Sequence, residues 1–369
     1  MRWGLIAAAA VAVFLAYAAG AGWLPLGGGP TCAIDDAIEA PLRQGALKAS
    51  RRFFQAMIAR DNQTAYAMLS PGFQQTMLPA KFDEVTAAII DSAGGTLVGL
   101  KAEHAYHVTR ERTPGRVLCG NDVTGVAVNA LPGVAQVHML YSAATPSHRW
   151  ALTAWMTKNA DAWEVSSFYV TIAGVAGRTS EELWRLGQVQ AGKKNAFNAF
   201  LLLSAASATA YRGPDFQTAA KPSIDAALAE QKVPAELVGN PPRTWELART
   251  KYTIEQVTIV GADKDLGLVI MYRDAAWDAA DNIDGETRNR ALIQAFVRSR
   301  PEVVQAFGFI VARILRPGQN VGWGTVYDAK RGFATATPAE AVAEAPEPPI
   351  PSLETPETAN SSVPTSGLP

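Results

Sequence analysis

The spacing of apolar side chains changes period several times along the chain, and each change predicts an element. Residues 3–26 are apolar almost without interruption and carry no charge. Over 46–59, Leu47, Phe53, Phe54, Met57 and Ile58 recur at helical spacing until Asp61-Asn62 interrupts them. A short helix through Tyr66 and Leu69 runs to Ser70-Pro71-Gly72, and a third over 80–91 puts Phe82, Val85 and Ile89 on one face. The period then becomes two, predicting strands at 98–110, 117–130, 134–143, 149–157 and 163–172, with Pro and Gly between most of them.

Near 173–179 a strand-like run gives way to Gly174 and Gly177, and a second half begins. Ser180, followed by Glu181 and Glu182, reads as the cap of a helix whose first turn suits the helix dipole. Its apolar pattern continues through Leu183, Leu186, Phe197 and Leu201 toward Tyr211, where Arg212-Gly213-Pro214 ends it. Another helix follows to about Gln231. This Ala-rich pair has no second copy at a fixed period, which excludes a repeat array. Strands at 252–260 and 266–273 flank a hairpin turn, a helix covers 286–298, and strands at 309–315 and 322–327 close the half. The predicted class is α+β. Its order is a membrane segment (1–26), a linker (27–45), a first domain (46–173), a second small α+β domain (180–329) and a tail (335–369).

The first segment has two readings, both starting from Met1 and Arg2. As a signal peptide, 5–18 is the apolar core and Ala16-Tyr17-Ala18 a small-x-small cleavage site. As a transmembrane anchor, 5–26 is roughly 22 residues or about 33 Å of helix, enough for a hydrocarbon core of about 30 Å. Trp3 and Trp23 would then lie in the headgroup layers. In either case Arg2 precedes the segment while Asp35, Asp36 and Glu39 follow it, so the body is expected on the extracytoplasmic side, membrane-anchored or periplasmic. Cys32 and Cys119, the two cysteines of the chain, suit that compartment as a disulfide, or stand as two independent thiols.

Composition adds bounds. The chain has 369 residues, 48% of them hydrophobic, and a net charge of −1, which argues against a general nucleic-acid binder. The tail carries Glu340, Glu344, Glu347, Glu354 and Glu357 and no Lys or Arg, and its Ala, Pro, Ser and Thr bury too little to offset ordering entropy. It reads as a disordered spacer, or, at 346–351, as an extended Pro-rich ligand.

A long helix, a polar break, Ala65-Tyr66-Ala67-Met68-Leu69-Ser70-Pro71-Gly72-Phe73, a helix at Phe82 and a meander ending in Trp163-Glu164-Val165-Ser166-Ser167-Phe168 together give the first domain a likeness. Residues 46–173 resemble the nuclear transport factor 2-like superfamily. The resemblance implies a cone in which a bent antiparallel sheet wraps the helices. The superfamily holds isomerases, dehydratases, secretion-system scaffolds and domains without known chemistry, so the likeness does not choose a function. The second domain resembles no family.

Candidate chemistry is sparse. Strand alternation puts His104 and Tyr106 on one face with Val108, and His107 on the other, making His104 and Tyr106 the candidates for a catalytic group inside the cone. The alternative is ordinary strand histidines. Asn282-Ile283-Asp284-Gly285 matches positions three to six of a calcium loop, but Ala280 and Ala291 stand where two carboxylates belong. The alternative there is a solvated acidic loop with Asp284 capping the next helix. No phosphate loop, nucleophile elbow, zinc pair or dinucleotide fingerprint occurs, so no cofactor is implied. Three functions remain: a non-catalytic envelope scaffold or binding protein with a protein partner or a second copy of itself; a module holding a small apolar ligand; and an isomerase- or dehydratase-type cavity enzyme using His104 or Tyr106. An open cone would favour the last two, and a cone plugged by Phe, Met and Leu the first.

Overall fold

A computed structural model describes residues 31–333, except 96, 110–113, 121–124, 146–147, 263, 279, 317 and 319–321. The expected membrane segment and tail lie outside the described residues, and within them no helix is long and apolar enough to cross a membrane.

The stretch expected as a linker carries structure from residue 31. Strand β1 (Thr31–Ile34) leads through a 3-10 turn (Asp35–Ala37) into α1 (Ala40–Ile58), which starts on Pro41, a residue whose missing N–H is not needed there. Helices α2 (Asn62–Ala67), α3 (Pro71–Thr76) and α4 (Pro79–Ser92) follow, α2 capped by Asp61 and α3 by Ser70. Then come β2 (Val98–Thr109), β3 (Gly115–Cys119), β4 (Val126–Ala130), β5 (Gln136–Ala144), β6 (His148–Asn159) and β7 (Ala162–Val175). The run 117–130 is thus not one strand but the hairpin β3–β4, turning at Gly120, whose φ is +87°.

Strands pair in the order β1-β2-β5-β6-β7-β8, a curled antiparallel sheet, where β8 (Arg178–Thr179) turns back on the end of β7. Helices α1 and α4 pack into its concave side around Phe53, Phe54, Met57, Phe82, Ile90, Met139, Leu152 and Met156. The outer side is covered as well. β3 and β4 lie over it with a third strand, β9 (Phe216–Thr218), which comes from the second half of the chain. Tyr106 and Val108 of β2 pack there with Val117, Cys119, Val126, Val128 and Phe216. This outer layer therefore draws strands from both sides of the boundary read near 173–179.

In the second half, the run toward Tyr211 is two helices, α5 (Ser180–Gly192) and α6 (Ala196–Ala210), broken where Lys194 takes a φ of +63°. The cap of α5 is Thr179 rather than Ser180: its hydroxyl accepts from the Glu182 N–H while the Glu182 carboxylate accepts from the Thr179 N–H. After β9 come α7 (Lys221–Ala229), β10 (Arg243–Leu247), β11 (Thr250–Ala262), β12 (Asp265–Arg273), α8 (Asn282–Ser299), the single turn α9 (Val303–Ala306), β13 (Phe309–Leu315), β14 (Gly322–Asp328) and β15 (Gly332–Phe333). β10 to β15 form a second six-stranded sheet in sequence order, in which α8 carries the chain across so that β12 and β13 run parallel. Leu268, Ile270, Ile310 and Ile314 face α5, α6 and α8 across a core containing Leu183, Phe197, Leu202, Leu292 and Phe296. The two halves meet closely at Gly261, where a Cβ would fall 2.5 Å from the Ala176 nitrogen.

Candidate functional site

The first place to look for chemistry is the interior of the cone, and it is full. Phe53 contacts Phe54, Phe82 and Phe168 edge-on or tilted at ring distances of 5.1–6.5 Å, and Phe54 meets Tyr141 at 5.3 Å. The polar pair at this depth is Ser50 and Tyr141, whose hydroxyls lie 2.7 Å apart. Both are already committed to helix α1: Ser50 donates to the Ala46 carbonyl at 2.7 Å, and Tyr141 lies 3.2 Å from the Leu47 carbonyl. Burial raises the Tyr141 pKa further from neutrality, so this pair holds a helix to a sheet and is no proton-transfer couple.

His104 lies outside that interior. Ala105 packs into the cone core, whereas Tyr106 and Val108 pack under the outer layer, and His104 stands beside Tyr106 at a ring distance of 6.0 Å. The alternation over 104–108 holds, but the face that carries His104, Tyr106 and Val108 is the outer one, and Ala105 lies on the inner one. The His104 side chain is 49% exposed, with Nδ1 2.8 Å from a carboxylate oxygen of Asp35. The other Asp35 oxygen accepts the Ala105 N–H at 2.8 Å. Asp35 was missed because it falls in the stretch read as a linker, and only the 3-10 turn after β1 brings it here. The geometry orients an imidazole as a carboxylate does in a catalytic dyad, but also closes the β1–β2 edge. Tyr106, 5% exposed, has its pKa raised to about 12, by burial first and by the Asp35 charge second. It stays a neutral phenol in the physiological range.

The cysteines are joined: Cys32–Cys119 is a disulfide linking β1 to β3, with Cα atoms 5.5 Å apart at a sequence separation of 87. It ties the edge strand to the outer layer beside Tyr106.

The acidic loop before α8 has its carboxylates engaged elsewhere. Asp281, not Asp284, caps α8 by accepting the Asp284 N–H at 2.9 Å. The Asp284 carboxylate accepts from Arg288 at 2.7 Å, and Arg288 also pairs with Asp274 at 2.5 Å. Asn282 is the first residue of the helix. Among the described residues no group of three or more His, Cys, Asp or Glu side chains is arranged to hold a metal ion.

Two further buried titratable groups, His138 and Arg212, lie where the halves join. His138 is 1% exposed, stacked on Trp155 at 5.0 Å, and its Nε2 is 2.6 Å from the Asn129 carbonyl. Arg212, at the end of α6, has its guanidinium buried against the carbonyls of Thr209 and Ala173, and burial lowers its pKa to about 10. Its own carbonyl accepts from Thr153 at 2.9 Å. A void of about 10 Å³, no larger than one water, lies between these groups, Tyr169 and Phe216. Nothing in the sequence marked these residues, because the contacts that bring them together, Thr153 with Arg212, His138 with Phe216 and Asn129 with Asp215, join positions some 60 to 90 residues apart.

Compared with known proteins, the chain matches no family model, no curated protein and no solved structure.

Proposed function

We propose that the chain is a non-catalytic scaffold or binding protein of the cell envelope. The observation that carries this reading is the filled cone: aromatic, Met and Leu side chains occupy the space where a ligand or substrate would sit, and the Ser50–Tyr141 pair is bonded to α1. The arrangement of α1 to α4 within a curled antiparallel sheet supports reading the first half as a nuclear transport factor 2-like domain of the plugged kind. The disulfide fits an oxidising compartment and so supports an exported body.

Two surfaces were open to a partner on the sequence alone, and the geometry narrows them. The outer side of the first sheet already carries β3, β4 and β9. On the second sheet, α6 and α8 pack on the Leu268 and Ile310 side, while the opposite side presents the half-buried Val260, Met271, Phe309, Val311 and Val326. Photo-crosslinking groups at Thr258 and Val326 in intact cells, with one at Lys158 on the first half for comparison, test the scaffold reading. Reproducible products of defined mass from the second-sheet positions, either with another envelope protein or with a second copy, support it.

His104→Ala separates this reading from catalysis. The variant should fold, lose at most about 0.5 kcal/mol because the pair it breaks is half exposed, and keep the same crosslinked products. A turnover by the purified protein that disappears in His104→Ala would replace the scaffold with an enzyme acting on the outer surface. A periplasm-active reporter fused after Gly45 should be active, and an inactive one would overturn export.

A further inference from the structure

The layer closing the outer side of the first sheet is composite, with β3 and β4 from the first half and β9 from the second. Its centre rests on His138. The imidazole is sandwiched between Trp155 and Phe216, whose ring is 6.5 Å away. Asn129, which receives its Nε2, is fixed to the second half by two bonds. Its N–H donates to the Asp215 carbonyl at 3.0 Å, and its amide donates to the Asp215 carboxylate at 2.8 Å. A carbonyl only accepts, so Nε2 carries the ring proton, and Nδ1 of the neutral ring is an unprotonated acceptor.

The surroundings treat a second proton harshly. Tyr106 faces the ring from β2, Thr153 and Trp155 from β6, and Tyr169 from β7. Arg116 reaches over from β3 to Gln217 and the Pro214 carbonyl, and Arg212 and Asp215 come from the segment before β9. On β5 itself, Gln136 binds Leu131 and Trp155 through its side chain, and its carbonyl meets His107. Asp215 is the only carboxylate in this set, bonded to Asn129 rather than to the ring, and Arg212 adds a buried positive charge nearby.

We propose that this seam is an acid-sensitive joint: protonation of the His138 imidazole releases the Asn129 carbonyl, parting β4 from β9 and freeing this layer from the first sheet, while the two apolar cores remain folded. Burial holds the His138 pKa down to about 4, outweighing the bond to Asn129 and the Asp215 charge, which act the other way. The value in the closed state lies below the ordinary histidine value of about 6.5. Closure is therefore at full strength above that ordinary value and weakens as pH falls toward 4, where the loss is complete. Between pH 7.5 and 5.0 the opening constant should rise about 30-fold. His148, whose pKa burial also lowers, sits at the start of β6 opposite Val175, away from this layer, so the amides of β4 and β9 report on His138.

Amide hydrogen exchange on the full chain, corrected for the intrinsic effect of pH, reads the joint directly. Asn129, bonded to Asp215, and Ala219, bonded to Gly125, should lose protection about 30-fold between pH 7.5 and 5.0, while Phe54 and Ile270 keep theirs. His138→Gln keeps a donor for the Asn129 carbonyl without a titratable charge, and its exchange at Asn129 should not change with pH. An unchanged Asn129 in the parent protein, an equal loss in His138→Gln, or parallel loss at Phe54 and Ile270 would each overturn the proposal. Should that variant not fold, NMR titration of the His138 ring in the parent protein decides: a midpoint near 4 supports the joint, and one above 6 ends it.

Discussion

The two six-stranded sheets are of equal strand number but are clothed differently. The first has helices on its concave side and a three-stranded layer on its convex side, and its central strands are buried on both faces, as Val137, His138, Met139, Thr153 and Ala154 illustrate. The second has helices against one side. On β13, Ile310, Ala312 and Ile314 are buried and Phe309, Val311 and Arg313 are half-buried, and on β14 Thr325 alone is buried. A strand covered on both faces needs apolar or fully bonded side chains at nearly every position, while one covered on a single face alternates. The comparison teaches where function can reside. The first sheet has both faces covered by its own chain, and the outer strands β13 and β14 of the second keep half-buried apolar residues on one face among the described residues.

The sharpest test of that contrast is Phe53→Ala. Phe53 is fully buried among three other aromatic rings, and its truncation should cost about 3–5 kcal/mol in urea denaturation. A cost below about 2 kcal/mol would mean that the cone has room and that the ligand-binding reading returns. Replacing both Cys32 and Cys119 by Ser should cost about 2–4 kcal/mol, seen as an earlier transition without reductant. If both thiols of the parent protein can be labelled in unfolded, unreduced material, the bridge is absent and the first sheet's outer layer loses its staple. The smallest effect belongs to Val326→Thr on the second sheet's uncovered side, no more than about 0.5 kcal/mol. A penalty several times larger would show that this side is covered as thoroughly as the first sheet.

What the sequence revealed depended on whether the signal was local. Strand β13 and the hairpin of β11 and β12 are visible because apolar residues alternate between turn residues. The helix read at 46–59 begins earlier, at Ala40, because Pro41 and Arg43 in its first turns carry no apolar period. The 117–130 run concealed a hairpin although Gly120-Asn121-Asp122 is turn chemistry, and β10 was missed because Trp245 is its one buried side chain. In the candidate site, the disulfide was legible from there being two cysteines in an exported chain. Asp35 beside His104 was not, nor was His138 at a seam, since both depend on pairings with no trace in spacing: β1 laid against β2 some 70 residues on, and a three-residue strand 86 or more residues from its partner β4. The likeness to the nuclear transport factor 2-like superfamily rested on element order, which registers helices and strands but not what fills the space between them.

The placement of β9 also sets an order in time. As the chain is made, residues 31–179 hold every strand of the first curled sheet, but the cluster of Tyr106, Val108, Val126 and Val128 stays incompletely covered until Phe216 has emerged some 40 residues later and paired with β4. A nascent or clipped chain ending near Ala173 would therefore display a greasy, strand-edged surface of the kind that chaperones and proteases recognise. Maturation of the first half is thus licensed by synthesis of the second, and a fragment cut at the apparent domain boundary should aggregate where the whole chain does not.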